Sequence, residues 1–535
     1  MVRNRVARRA RFLDESLALS VDTFLPRAGP GPVVRMLKYL NCMSNRDSTL
    51  ELAPEWNGTS SDTSSKKVAF VSLGCPKNLV DSEVMMGMLA QAGADLTSHA
   101  QDADIIVVNT CSFIDAAQQE SVNAILDVAR LKAQGSAKKL VVAGCLVERF
   151  RHEIQKNIPE VDAVVGTGEL DRILAATGVA TPAPLPFVIL ASRAEAKARE
   201  TQGRFSREAW EGAIADLPNY LYDDTTPRLL STPRHTAYIK IAEGCDHPCT
   251  FCIIPQFRGK FRSRRFASVV AEAEHLARGG VREITLIGQD TTCYGEDFDL
   301  KDGLALLLDQ LARIEDLRWI RFLYAYPNKI SLRLLETIAQ HERICSYVDV
   351  PLQHASPVVL KRMKRGGGAD VFLRLLETIR RVIPSGALRN SFIVGFPGET
   401  EREFEELCDF VRAARFDWMG VFSYSDQEGA GAHPLGSKLP PGEIERRRKH
   451  LMQVQRQISR KLKKTMVGKQ FDLVLEGTSE DTDLLLEGRT PLHAPEIDGK
   501  VLINEFPQSQ IPQIGAFYRC EITEAHDYDL VARIL

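Results

Sequence analysis

From Lys66 onward, short apolar runs alternate with segments of helical texture. Val68–Leu73 is the first run and ends in Gly74–Cys75; Ile105–Val108 ends in Asn109–Thr110–Cys111; Leu140–Ala143 ends in Gly144–Cys145. Helix-like stretches, Ser82–Ala92 and Ala116–Ala133, lie between them. Continuous apolar runs mark strands buried on both faces, and strand–helix alternation of this kind predicts an α/β fold with a parallel, doubly wound sheet. Such sheets bind ligands beyond the carboxyl ends of their strands. Cys75, Cys111 and Cys145 all fall at those ends, so they can meet in space despite their wide spacing. Three unrelated core cysteines are the plainer reading, but nothing about core packing would set them at three successive strand ends.

The same rhythm resumes over 231–440. Strands are expected at Ala237–Ala242, Glu283–Ile287, Ile320–Tyr324, Tyr347–Val350, Leu388–Val394 and Trp418–Tyr424, with helices such as Ala267–Arg278 and Glu401–Ala413 between them. Six strand–helix units predict an open, partial TIM-like barrel. A strongly basic helix, Pro441–Met466, leads out of it. Beyond Val467 the texture changes to short strands and turns (Phe471–Glu476, Asp483–Glu487, Lys500–Asn504, Phe517–Ala525, Asp529–Leu535), which predicts a small closed β-barrel.

Length and composition sharpen this division. At 535 residues the chain is too long for one core. The expected pieces are an extension over 1–65, a first domain over 66–180, a connector over 181–230, the partial barrel over 231–466 and the small barrel over 467–535. The extension opens with Arg3, Arg5, Arg8, Arg9 and Arg11 before any acid, and continues into Pro- and Ser-rich sequence that reads as disordered. Its composition resembles a transit segment; a start codon placed too early, with Met43 also available, is the plainer reading. The connector is Pro-rich and then charged, with one helix expected around Arg207–Ala215. No run of 18 apolar residues appears, so no transmembrane helix is expected. Eleven cysteines spread over such a length do not make a disulfide scaffold; a reducing cytoplasm, with cysteines serving as metal ligands, fits better.

The densest chemical signal is Cys245-Asp-His-Pro-Cys249-Thr-Phe-Cys252, directly after a strand. Three thiolates within eight residues supply three of the four ligands of an iron–sulfur cubane, which leaves one iron open to chelate a small molecule. A structural zinc site would need a closed fourth ligand, and His247, between the first two cysteines, is poorly placed to be it. Two glycine-bearing strand ends are candidate cofactor contacts: Gly288–Gln289–Asp290 after the second barrel strand, and Gly395–Phe396–Pro397–Gly398–Glu399 after the fifth. The second could equally be a turn into the next helix, with Glu399 at its N-terminus. Cys42, Cys293, Cys345, Cys408 and Cys520 lack ligand-like spacing; only Cys293 lies near a strand end.

The C-x3-C-x2-C motif resembles that of the radical S-adenosylmethionine superfamily, and the chain over 66–535 is similar to its methylthiotransferases. That resemblance implies a flavodoxin-like N-terminal domain, a partial (β/α) radical SAM barrel and a C-terminal TRAM barrel. It implies S-adenosylmethionine and two 4Fe–4S clusters as cofactors. Cys245, Cys249 and Cys252 would ligate the catalytic cluster, and Cys75, Cys111 and Cys145 a second one that carries the sulfur to be delivered. Gln289, Asp290, Gly395 and Glu399 would lie on the cofactor. It also implies an electron donor such as flavodoxin or ferredoxin; the sulfur donor stays open.

Two branches of that family compete: one modifies adenosines in transfer RNA, the other an aspartate β-carbon of small-subunit ribosomal protein S-twelve. Tyr220-Leu-Tyr-Asp-Asp-Thr-Thr-Pro-Arg228, Ile287-Gly-Gln-Asp-Thr-Thr292, Pro351-Leu-Gln-His-Ala-Ser356 and Phe422-Ser-Tyr-Ser-Asp-Gln-Glu-Gly429 look like the second branch. Net charge over the whole chain is −2 and names no partner. Residues 467–535 hold thirteen acids and five bases, a net of −8, which should repel RNA and attract a basic ribosomal protein. The basic run Lys361-Arg-Met-Lys-Arg365, followed by three glycines, could touch ribosomal RNA near the substrate loop; a solvated helix end with a C-cap glycine is the plainer reading. A non-catalytic iron–sulfur carrier is the reading from another class; it would need four ligands per cluster, and each set here has three.

Overall fold

The computed structural model describes residues 65–135, 137–179, 220–479, 482, 484–508 and 511–535. The expected extension, the connector helix around Arg207–Ala215, and Cys42 lie outside the described residues. The described chain forms two compact units, 65–220 with 226–231 and 221–225 with 232–535.

The first unit is a five-stranded parallel sheet flanked by helices. Its strands are β1 (Lys67–Ser72), β2 (Asp95–Thr97), β3 (Ile105–Thr110), β4 (Lys139–Gly144) and β5 (Ala163–Val165), in the order β2-β1-β3-β4-β5. Central β3 is buried throughout, as its unbroken apolar run requires. Three helices follow β1, β3 and β4: α1 (Pro76–Gln91), α2 (Asp115–Ala133) and α3 (Cys145–Asn157). The segment Thr226–Ser231 is tied to α1. The fully buried Glu83 carboxylate accepts from Arg228 Nη2 at 2.6 Å, Arg228 Nε at 2.9 Å and the Ser231 N–H at 2.7 Å. Two short strands, β2 and β5, were not among the expected elements.

The second unit carries the partial barrel and the small one. Strands β6 (Thr236–Lys240), β9 (Glu283–Ile287) and β10 (Trp319–Phe322) form one parallel sheet; β11 (Tyr347–Asp349), β12 (Ala387–Val394) and β13 (Trp418–Ser423) form another. A parallel bridge between Ile320 and Ile344 joins them, so six strands run in one open curve. The hairpin β7 (Ala242–Glu243) and β8 (Arg262–Ser263) brackets the cysteine loop. Helix Pro441–Lys464 packs on β13 and leads into a closed barrel of β14 (Gln470–Thr478), β15 (Leu486–Arg489), β16 (Val501–Glu505), β18 (Leu530–Ile534) and β17 (Phe517–Ala525). Leu473, Leu475, Val501, Ile503, Ile522 and Leu530 fill its interior.

The two barrels of this unit are joined at the amino ends of the large barrel's strands. Glu283 and Tyr347, the first residues of β9 and β11, bond to Arg489 and Asp498 of the small barrel at 2.6 and 2.7 Å. Trp418, at the start of β13, donates its indole N–H to Leu492 O at 2.8 Å. The small barrel therefore docks at the end opposite the cysteine loop, which follows β6 and β7.

Candidate functional site

In the first unit, Cys75, Cys111 and Cys145 follow β1, β3 and β4, which are neighbours in the sheet with β3 in the middle. Adjacent strands lie about 4.8 Å apart, so the order alone draws the three cysteines to one edge. Local chemistry fixes each of them. Cys75 is the residue before Pro76, whose ring pre-sets the first turn of α1. Gly74 before it has φ +92°, and a Cβ there would lie 2.7 Å from Cys111 Cβ and 3.0 Å from Cys111 Sγ. Gly144, φ +93°, admits the turn into α3, where Cys145 is the first residue; a Cβ would strike Asn109 Oδ1 at 2.3 Å. Ser121 of α2 clamps the Cys111 backbone on both sides, with Oγ accepting its N–H at 3.0 Å and donating to its carbonyl at 2.9 Å. Asn109 Nδ2 bonds Asn78 O and Ser82 Oγ, both at 2.8 Å. Asn109 Oδ1 is buried with no hydrogen-bond partner. A set of three thiols at the carboxyl ends of three neighbouring strands, with backbone cleared by two glycines, fits a cluster ligated from one side.

In the second unit the loop 245–252 leaves β7. Burial pushes the Cys245 thiol up to about 11, and the neighbouring Cys249 adds to it; burial, with Cys249 and Cys245 behind it, pushes Cys252 up to about 12. Burial therefore disfavours the thiolate forms of Cys245 and Cys252 in the absence of a bound cation, and an iron cluster would supply that charge.

Two of the expected cofactor contacts close around this loop. Asp290 is buried and accepts from His247 Nε2 at 2.6 Å, the Thr292 N–H at 2.9 Å and Cys293 Sγ at 3.0 Å. Burial alone would raise its carboxyl; the His247 and Thr292 bonds hold it below the ordinary carboxylate range. Gln289 donates Nε2–H to Glu243 Oε1 at 2.7 Å, while its Oε1 is buried without a partner. Burial would raise Glu243 too, but Arg258 and Lys240 hold it well below its ordinary value. An orphaned buried amide oxygen beside fixed charges suits an N–H donor such as an amino group.

The other two candidates, Gly395 and Glu399, lie in the turn between β12 and the next helix. Glu399 is fully buried as a side chain and turned onto its own loop: it accepts the N–H groups of Gly395 at 2.6 Å and Phe396 at 3.0 Å and pairs with Arg447 Nη1 at 2.9 Å. The helix beyond it starts at Glu401, capped by Thr400 with Glu403 in a capping box. Gly395, φ +77°, lies under Ile444, where a Cβ would meet Ile444 Cγ1 at 2.5 Å. Both residues brace the loop.

Arg365 was missed by sequence reasoning and corrects the solvated-helix-end reading of its basic run. The helix does end at Arg362. Arg362 then pairs with Glu403 at 3.2 Å, and Arg365 turns back to the cysteine loop with Nη1 3.6 Å from Cys249 Sγ. Tyr326, also unforeseen, lies between Arg365 and His247: the guanidinium sits 4.3 Å from its ring centroid, and the imidazole stacks on it at 3.8 Å. Cys345, Cys408 and Cys520 are buried packing residues.

Residues 67–166 match the Uncharacterized protein family UPF0004, residues 239–411 the Radical SAM superfamily, and residues 467–535 the TRAM domain. The chain is 67% identical over 490 residues to "Ribosomal protein uS12 methylthiotransferase RimO" of Koribacter versatilis (strain Ellin345), covering 89% of this chain and 97% of that protein. The chain belongs to the RimO family. Relatives of the same name from Solibacter usitatus (strain Ellin6076) and Trichlorobacter lovleyi (strain ATCC BAA-1151 / DSM 17278 / SZ) are 55% and 46% identical. They cover 88% and 89% of this chain and 95% and 99% of their own lengths. RimO proteins are radical SAM methylthiotransferases that use two 4Fe–4S clusters and S-adenosylmethionine. The fold agrees with this family at all three levels: a doubly wound first unit, a partial barrel and a closed small barrel. Among the described residues no helix is long and apolar enough to cross a membrane.

Proposed function

We propose that this chain adds a methylthio group to the β-carbon of an aspartate in ribosomal protein uS12. The observation that supports this most directly is the identity to RimO proteins over nearly their whole length; the transfer-RNA alternative is not favoured. In this reading Cys245, Cys249 and Cys252 ligate the catalytic cluster, and Cys75, Cys111 and Cys145 the second. When bound, the cofactors supply one-electron cleavage of S-adenosylmethionine and the sulfur to be delivered.

The protein's own residues supply position. Gln289 Oε1 offers an acceptor to the amino group of S-adenosylmethionine. Asp290 orients His247, and with it the middle of the ligand loop. Glu399 and Gly395 fix the loop after β12, so their part is support of the cofactor's surroundings. The domain limits follow the same reading: 66–180 holds one cluster, 231–466 the other, and 467–535 is the TRAM barrel. A one-electron donor such as flavodoxin or ferredoxin supplies the reducing equivalents, and the reaction takes place in the cytoplasm, where small subunits assemble.

The test is mass spectrometry of uS12 from cells with and without this chain. A methylthio increment on one aspartate should appear only with the chain. Unmodified uS12 together with methylthiolated transfer-RNA adenosine would reverse the assignment.

A further inference from the structure

The Arg365 guanidinium is held on three sides and left electrically uncompensated. Nη2 donates to Pro351 O at 2.8 Å, just past the end of β11. Its face covers Tyr326, centroid distance 4.3 Å. Nη1 points at Cys249 Sγ, 3.6 Å away. Among the described residues no carboxylate lies within 4.0 Å of it, whereas its neighbour in sequence, Arg362, is paired with Glu403. The far face of Tyr326 is closed by His247 at 3.8 Å and 9° between ring planes, and His247 is in turn fixed by Asp290 at 2.6 Å. A column Arg365–Tyr326–His247 is therefore anchored at both ends, by a strand-end carbonyl and by a buried carboxylate. Such support holds a cation in place against a sulfur with little freedom to swing away.

We propose that Arg365 tunes the reduction potential of the cluster ligated by Cys245, Cys249 and Cys252, through an N–H···S bond and its uncompensated charge at Cys249. The proposal rests on the ligand reading above. Reduction brings one electron from the donor into the cluster; no bond forms or breaks, and the site gains one negative charge. Hydrogen bonds to cluster sulfurs and nearby positive charge both favour the more negative, reduced state and raise the potential. Arginine suits the task because its planar fork serves the carbonyl and the sulfur at once while its face stacks on Tyr326; lysine could keep the charge but not the fork. Arg365 is thus a positioning and tuning residue for the electron-accepting step.

The experiment uses full-length protein in the Cys111→Ala background, where only the 245–252 loop keeps three thiols. Iron and sulfide are reconstituted anaerobically, and the cluster is titrated with dithionite and redox mediators without S-adenosylmethionine, followed by electron paramagnetic resonance. Arg365→Gln should shift the midpoint to more negative potential at equal iron and sulfide per chain. Arg365→Lys should fall between Gln and the parent. Lys364→Gln, an exposed neighbour that removes the same charge without the contact, should stay at the parent value. Equal midpoints for the parent and Arg365→Gln, or an equal shift from Lys364→Gln, overturn the proposal. An altered affinity for S-adenosylmethionine with an unmoved midpoint also overturns it, and assigns Arg365 to the cofactor's carboxylate. If Arg365→Gln fails to hold a cluster, the Arg365→Lys midpoint decides: no shift from the parent overturns the proposal. A parent that assembles no cluster on this loop defeats the ligand reading itself, an outcome distinct from the others.

Discussion

Arg489 of the small barrel and Glu283 of the large one form a buried bidentate ion pair, Nη2 to Oε2 at 2.6 Å and Nη1 to Oε1 at 3.3 Å, with both side chains almost wholly out of solvent. Arg489 also bonds Glu476 at 2.7 Å, and Arg321 lies 3.5 Å from Glu283. Truncating one partner of such a pair leaves buried charge uncompensated, which costs about 3–5 kcal/mol. Arg489→Met should lower unfolding stability by about the smaller of these figures, since Arg321 still faces Glu283. Arg489→Met with Glu283→Leu should recover part of the loss. Urea denaturation of both variants measures this, and an unchanged single variant would show that the joint carries no stability.

The radical-cluster loop gives a second expectation. Cys249→Ala leaves two thiols at the loop, too few for a cubane that already lacks a fourth protein ligand. Iron per chain should fall by about half, and reductive cleavage of S-adenosylmethionine should vanish. Normal production of 5′-deoxyadenosine by the variant would reject the assignment of this loop. Cys111→Ala should do the reverse: half the iron lost, cleavage kept, methylthio transfer gone, because its sheet belongs to a separate unit. Full product from Cys111→Ala would reject the two-cluster reading.

How much of this was visible in the sequence follows from burial. Strands with a clear pattern were legible: Glu283–Ile287, buried throughout, and Phe517–Ala525, where apolar and polar residues are interleaved, match the expected limits residue for residue. Asp95–Thr97 was not, because it is a three-residue edge strand with no buried member to imprint a pattern. The three strand-end cysteines were legible because parallel topology converts position in sequence into position at an edge. Arg365 was not, because charge and helix-end placement describe a solvated residue equally well. The buried Met363 two residues earlier, and the glycines 366–368 that release the chain after it, are the signals that could have suggested a return path. Gly367, at φ +119°, has a Phe372 ring carbon 2.3 Å from where a Cβ would sit. Glu399 was read either as a cofactor contact or as part of a turn into the next helix, and its carboxylate is bound by the N–H groups of Gly395 and Phe396 and by Arg447; sequence cannot tell which side of a turn a carboxylate takes.

His354 predicts a pH dependence. Its imidazole is fully buried, Nδ1 accepts the Ser356 N–H at 3.0 Å, and Nε2 has no partner. Burial first, and the nearby Arg362 and Arg447 after it, push it down to about 3 from 6.5. Between these values the unfolded chain binds a proton that the folded one refuses, so stability is present above pH 6.5 and is lost as pH falls toward 3. The slope in that window is about 1.4 kcal/mol per pH unit from this group. His354→Gln should remove that component, so the stability difference between parent and variant should narrow between pH 6.5 and 4.5 in urea titrations. Parallel pH profiles would place the imidazole in a more solvated state than its burial indicates.

In the TRAM barrel the structure revises the meaning of a net charge of −8. Glu476 and Asp498 are turned inward, to Arg489 and to Tyr347 and Arg389, so they present nothing to a partner. Asp472, Glu487, Glu521 and Asp527 are paired with Arg519, Lys500, Arg533 and Arg456. Glu480, Asp481 and Asp483 lie outside the described residues. Glu505 and Glu524 are exposed and form no ion pair among the described residues. The field that attracts a basic protein is therefore weaker than the tally implies. The barrel docks at the amino ends of the β9, β11 and β13 strands, away from the cysteine loop, so its charge can steer an encounter but not touch the reacting atoms. Glu505→Lys with Glu524→Lys should slow association with uS12 by a factor on the order of three at low salt, with the effect fading at physiological ionic strength, where screening acts over about 8 Å. Turnover of bound substrate should stay unchanged. Stopped-flow binding across a salt series, run beside single-turnover assays, separates the two. An association rate indifferent to both substitutions would remove the barrel from substrate capture. A changed single-turnover rate would mean that the barrel's charge reaches the reaction centre after all.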